Sequence, residues 1–116
     1  MSESRGAGIE GAVPVFAALG DQTRLQLLKQ LSQKGPDSIS RLSEGVAVTR
    51  QAVTKHLNVL ADAGLVRGER RGREHIWELK PGRLSEARDY LDRISLQWDE
   101  ALHRLKGFVE DDDSHS

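Results

Sequence analysis

Cysteine is absent from the 116-residue chain. That single omission excludes disulfide staples, thiolate metal sites, cysteine nucleophiles and thiol redox sensing. Long apolar runs are missing as well. The longest, residues 12–19, has eight residues and contains Pro14, far short of the ~20 that cross a bilayer. Residues 1–8 hold no apolar stretch of the signal-peptide kind, so the chain is expected in the cytoplasm, with no membrane partner. There is no G-x-x-x-x-G-K phosphate loop, no nucleophile elbow, no pair of carboxylates in an apolar setting and no cluster of metal ligands. Accordingly no catalytic residue, cofactor or metal is expected, and the chain does not read as an enzyme. Hydrophobic residues make up only 37% of it. So small a core supports one domain, and a sizeable pocket only if two copies associate.

Neither charge dominates, with 17 basic and 18 acidic side chains. Their distribution is uneven: residues 49–83 carry eight basic and four acidic groups, residues 84–116 four and nine. Residues 110–116 include no apolar side chain and read as a solvated acidic tail. With a Gly-rich leader over residues 1–12, the folded domain is expected at 13–109.

Within that span, Pro14 suits the first turn of a short helix ending at Gly20, with Phe16 and Leu19 on one face. Asp21 is a good N-cap for a second helix, to about Gln33, striped by Leu25, Leu28 and Leu31, with Leu27 beside Leu31. Gly35-Pro36 breaks it. Ser38 caps a brief third helix with Ile39 and Leu42 inward, and Gly45 permits a tight turn. Thr49 opens the best-defined helix. Val48 and Val53 stand at the positions of a hydrophobic staple, Val53, Leu57 and Leu60 recur on one face, and Gly64 closes it. Arg50, Gln51, Thr54, Lys55 and Asn58 occupy the opposite face. Residues 65–70 and 73–79 read as two strands bent at Arg71-Gly72, with Trp77 and Leu79 on one face. Beyond Pro81-Gly82, a final helix over 82–109 carries Leu84, Ala87, Leu91, Ile94, Trp98, Ala101, Leu105 and Phe108 at alternating spacings of three and four. That is an unbroken heptad pattern.

A short helix, a glycine turn and a second helix with a basic outer face make a helix-turn-helix, which lays its second helix in the DNA major groove. Arg and Lys read guanine there, Gln and Asn adenine, and a Thr methyl meets thymine. Arg50, Gln51, Thr54 and Lys55 supply these types at the helix N-terminus, where free amides favour phosphate. His56 is open to two readings, a phosphate donor or a partly buried helix histidine. Arg67, Arg70, Arg71 and Arg73 cluster about the hairpin bend, either as a backbone or minor-groove contact or as a salt-bridged exposed hairpin. At 1.5 Å per residue the last helix spans about 42 Å, more than so small a domain covers. Its stripe either packs on the first helix of the same chain or meets a symmetry mate.

Three stretches carry a family resemblance: Phe16-Ala-Ala-Leu-Gly-Asp-Gln-Thr-Arg-Leu-Gln-Leu-Leu, Val48-Thr-Arg-Gln-Ala-Val-Thr-Lys-His-Leu-Asn-Val-Leu-Ala-Asp-Ala-Gly-Leu-Val, and Arg71-Gly-Arg-Glu-His-Ile-Trp-Glu-Leu. In this order and spacing, over residues 13–108, the chain resembles the ArsR-type winged-helix repressors. The resemblance implies a mainly α winged helix-turn-helix (α-α-α-α-β-β-α) with a small β-hairpin. It further implies a two-fold homodimer through the first and last helices that binds double-stranded DNA at a palindromic operator. Thr49, Arg50, Gln51, Thr54, Lys55 and His56 then fall on the reading helix, Arg70, Arg71 and Arg73 on the wing, and Phe16, Leu84, Leu91, Ile94, Trp98 and Leu105 at the dimer interface. Members that sense metals use a cysteine pair near the third helix, or His and carboxylates on the last. The cysteines are missing here, and Asp99 with His103 reads as a surface pair rather than a site. Any small-molecule or protein inducer stays unknown. The competing reading is a winged-helix module that binds protein rather than DNA.

Overall fold

Three polar residues punctuate the helical part of the chain. Asp21, Ser38 and Thr49 are extended, and the side-chain oxygen of each accepts the backbone N–H three residues on: from Arg24 at 3.0 Å, Arg41 at 3.3 Å and Ala52 at 3.1 Å. Each satisfies a donor that the first helical turn leaves without a partner. The computed structural model describes residues 9–115, with side chains through 109. In order the elements are α1 (Ile9–Leu19), α2 (Gln22–Lys34), β1 (Asp37–Ser38), α3 (Ile39–Glu44), α4 (Arg50–Asp62), β2 (Val66–Arg71), β3 (Glu74–Leu79) and α5 (Pro81–His115).

Four features depart from the sequence reading. α1 starts at Ile9 and not at Pro14, and the added turn buries Ala12. Residues 9–12 of the expected leader are thus helical, and residues 1–8 lie outside the described residues. Leu25 is 50% exposed, so the buried part of the α2 stripe is Leu27, Leu28 and Leu31. The sheet has three strands, in the order β1-β3-β2, since Asp37 and Ser38 pair antiparallel with Trp77 and Ile76. Two residues are too few to show a period of two, so β1 leaves no pattern in the sequence. Finally α5 continues to His115, through the stretch read as a tail.

Leu27, Leu42, Val53, Leu57, Leu60 and Leu65 are completely buried, and Trp77 closes the core from the sheet. α4 ends in a paired cap. The Leu65 N–H donates to the Leu60 carbonyl and the Gly64 N–H to the Ala61 carbonyl, both at 2.9 Å, which requires the left-handed φ of +80° at Gly64. Among the described residues α5 meets the body along its first turns, where Ala87 is buried, Leu84 packs against the core and Tyr90 approaches Phe16. Farther on, Leu91, Trp98, Leu105 and Phe108 are 50 to 68% exposed. The molecule accordingly measures 73 × 40 × 20 Å. Among the described residues no helix is long and apolar enough to cross a membrane.

Candidate nucleic-acid interface

α3, the turn through Gly45 and α4 form the helix-turn-helix, and the turn is built for closeness. A Cβ at Gly45 would lie within 2.7 Å of the Gln30 side chain on α2. The fully buried Val53, Leu57 and Leu60 fix which face of α4 looks inward. By helical period, Arg50, Gln51, Lys55 and Asn58 are therefore exposed, and Thr54 is half-buried. The Thr49 hydroxyl is occupied as the cap, and the Thr54 hydroxyl donates to the Arg50 carbonyl at 3.1 Å. No acidic residue stands in the first turn of α4. Its positive dipole end and two cationic side chains therefore act together on an approaching anion.

His56 lies at the inner margin of this surface. Its Nδ1 is 3.2 Å from Arg24 Nη1 and 3.9 Å from Asp21 Oδ1, and its side chain is 22% exposed. Of the two readings the sequence leaves open, the partly buried one is observed. The Arg24 backbone amide, with lesser help from the charges of His56 and Arg24, holds the Asp21 carboxyl below its ordinary value of 3.8 against an opposing effect of burial.

The hairpin separates its arginines by face. Arg71 pairs with Glu74 in register, and Gly72 and Arg73 make the connecting turn, one residue later than expected. Gly72, at φ +63°, takes the position where such a turn favours glycine. Strand alternation then sets Arg67, Glu69, Arg71, Glu74 and Glu78 on one face. There Arg67 is ion-paired with Glu78, and Arg71 approaches Glu69 at 3.5 Å. Arg70 and His75, opposed in register, share the other face with Gly68 and Trp77. The His75 ring lies 4.6 Å from that of Trp77. Gly68 makes room for both, since a Cβ there would meet His75 Nε2 at 2.6 Å and Trp77 at 2.9 Å. Among the described residues Arg70 and Arg73 have no carboxylate partner. The unneutralised charge of the wing is thus at its tip and on the Arg70 face, a division that the clustering of arginines in sequence does not reveal.

Of the residues expected at a dimer interface, Leu91, Trp98 and Leu105 are exposed and Ile94 is half-buried. Phe16 packs against Tyr90, with ring centroids 6.2 Å apart. Leu84, one turn into α5, is partly buried and packs against the core of its own chain. Asp99 and His103 line only an open depression with Glu100 and Arg104. No three His, Asp or Glu among the described residues are placed to hold a metal.

Comparison with known proteins accords with this arrangement. The helix-turn-helix domain family matches residues 19–69. The chain is 32% identical over 79 residues to the arsenical resistance operon repressor of Bacillus subtilis, covering 68% of this chain and 75% of that one. It superposes on an ArsR-like transcriptional regulator from Rhodococcus sp. RHA1 with a TM-score of 0.70 at 37% identity, covering 84% of this chain and 92% of the other. The chain belongs to the ArsR-like transcriptional regulators. A more distant solved structure shares the fold: the homodimeric winged helix-turn-helix DNA-binding domain of a possible ArsR-family regulator from Mycobacterium bovis. Its TM-score is 0.62 at 23% identity, with 90% of this chain and 93% of that one covered. Within this ArsR-like regulator, α3 and α4 are the helix-turn-helix, and β2 with β3 is the wing.

Proposed function

We propose that two copies of the chain bind one palindromic operator and repress transcription by occupying it, so that the protein acts by occupancy and not by catalysis. The folded unit assigned to this task is the described span, residues 9–115, wider than the expected 13–109. Gln51, Thr54 and Lys55 read base edges in the major groove, and Arg50 and the capped start of α4 at Thr49 hold the backbone. Arg70 and Arg73 of the wing neutralise phosphate or enter the adjacent minor groove, and Arg71 contributes after parting from Glu69. The observation that supports this reading best is the outward end of α4, where Arg50 and Gln51 stand exposed on a first turn free of acidic groups and Lys55 stands exposed on the next.

Pairing through α1 and α5 covers the exposed Leu91, Trp98 and Leu105, and a two-fold axis then presents both reading helices to successive turns of one duplex. The more distant structure from Mycobacterium bovis is itself homodimeric. Selection of bound sequences from a random duplex pool with purified protein should return an inverted repeat. If about eight phosphates are engaged, the log–log slope of affinity against salt should lie near −7. A pool that yields no motif, or binding indifferent to salt, would overturn the reading in favour of a protein-binding module.

A further inference from the structure

α4 is seated on the body mainly by aliphatic side chains, Val53, Leu57 and Leu60. Apolar contact resists separation but is non-directional, so it tolerates small rotations and shifts along the axis. Direct readout does not tolerate them, because a base-edge hydrogen bond weakens steeply outside about 2.7–3.2 Å. A directional tie is present on the inner margin of the helix. Arg24 Nε donates to the Ala18 carbonyl at 2.6 Å and Nη2 to the Ala17 carbonyl at 3.4 Å. Those carbonyls belong to the last turn of α1, beyond which the helix does not continue; that of Ala17 also accepts the Gly20 N–H at 3.3 Å. The remaining arm, Nη1, reaches His56 Nδ1 at 3.2 Å. An arginine has only donors, so in the neutral ring Nδ1 accepts and the proton lies on Nε2. Asp21, the cap of α2, stands beside the same nitrogen at 3.9 Å. The end of α1, the start of α2 and the middle of α4 therefore meet at one side chain.

We propose that Arg24 and His56 are a positioning pair that fixes how α4 is rotated and advanced relative to α1. They set where Gln51 and Lys55 point and do not themselves touch the duplex. The inference rests on α4 being the DNA reader. Because α1 also carries Phe16 against Tyr90 of α5, the pair links the placement of the reading helix to that of the two helices proposed to form the dimer.

The test uses the full chain with two duplexes of equal length, the selected sequence and a scrambled one, and a thermal melt of each variant. His56→Ala should lower the ratio of selected to scrambled affinity by roughly five- to tenfold, the worth of one directed hydrogen bond. Scrambled binding should stay within about twofold, as phosphate contacts persist. Arg24→Lys keeps a donor for the α1 carbonyls but gives up the fork, so it preserves the fold and should lower the ratio similarly. The double variant should lose no more than either single one. His56→Asn, which retains an acceptor near the Nδ1 position, should recover most of the ratio. An unchanged ratio in His56→Ala, or additive losses in the double variant, would refute the pair. Equal losses on both duplexes would make His56 a phosphate contact instead. Wild-type protein that fails to distinguish the duplexes would instead defeat the DNA-reading assignment itself.

Discussion

Asp21 shows how much one side chain does at the junction of α1 and α2. It caps α2 through the Arg24 amide, and that bond is the chief reason its carboxyl titrates below 3.8. The folded chain therefore binds this proton more weakly than the unfolded chain does. The stability the carboxylate contributes is present above its ordinary value and is lost as pH falls through the depressed one. Urea unfolding midpoints of wild type and Asp21→Ala should differ at neutral pH and converge in acid below 3.8. Among the side chains proposed to face DNA, Gln51→Ala should relax preference at a single base pair by about 1–3 kcal/mol. Arg73→Ala should weaken every sequence alike. Affinities measured on a panel of singly altered operators separate the two. The orientation of Gln51 and Lys55 was legible in the sequence, because the helical period points them away from Val53 and Leu57. The surroundings of His56 were not, since Arg24 lies 32 residues away and local spacing says nothing about such a partner.

Helices and strands were legible wherever a cap and a period agreed, as in α2, α3 and α4. Legibility failed where packing decided, at the extra turn of α1 that buries Ala12 and at the two-residue β1. In the wing, composition revealed the arginines, but only the register Arg67↔Glu78 showed which of them a glutamate quenches. If Arg70 engages one phosphate per protomer, Arg70→Ala should flatten the salt slope of a dimer by roughly two, whereas Arg67→Ala should change it by well under one. The cap of α4 makes a separate prediction. Alanine at Gly64 must adopt φ +80° and bring its Cβ to 2.7 Å from the Arg83 side chain. Gly64→Ala should therefore cost about 1–2 kcal/mol or more in chemical denaturation. A midpoint equal to wild type would show that the cap relaxes.

At the scale of the whole molecule the decisive feature is a rod joined to a small body. α5 is 35 residues long, which is about 52 Å at 1.5 Å per residue, and Trp98 near its middle is 63% exposed. Trp98→Glu places a charge on the proposed contact and should yield monomers in sedimentation with much weaker operator binding. A variant that stays dimeric would remove the stripe from the interface. Among the described residues nothing in its own chain covers the far half of this rod. If a twin covers it, mass action has a regulatory consequence: at low abundance the number of operator-competent pairs grows as the square of the number of chains. The long helix would then make the regulated gene respond to copy number with a threshold, falling silent only once synthesis outruns dilution.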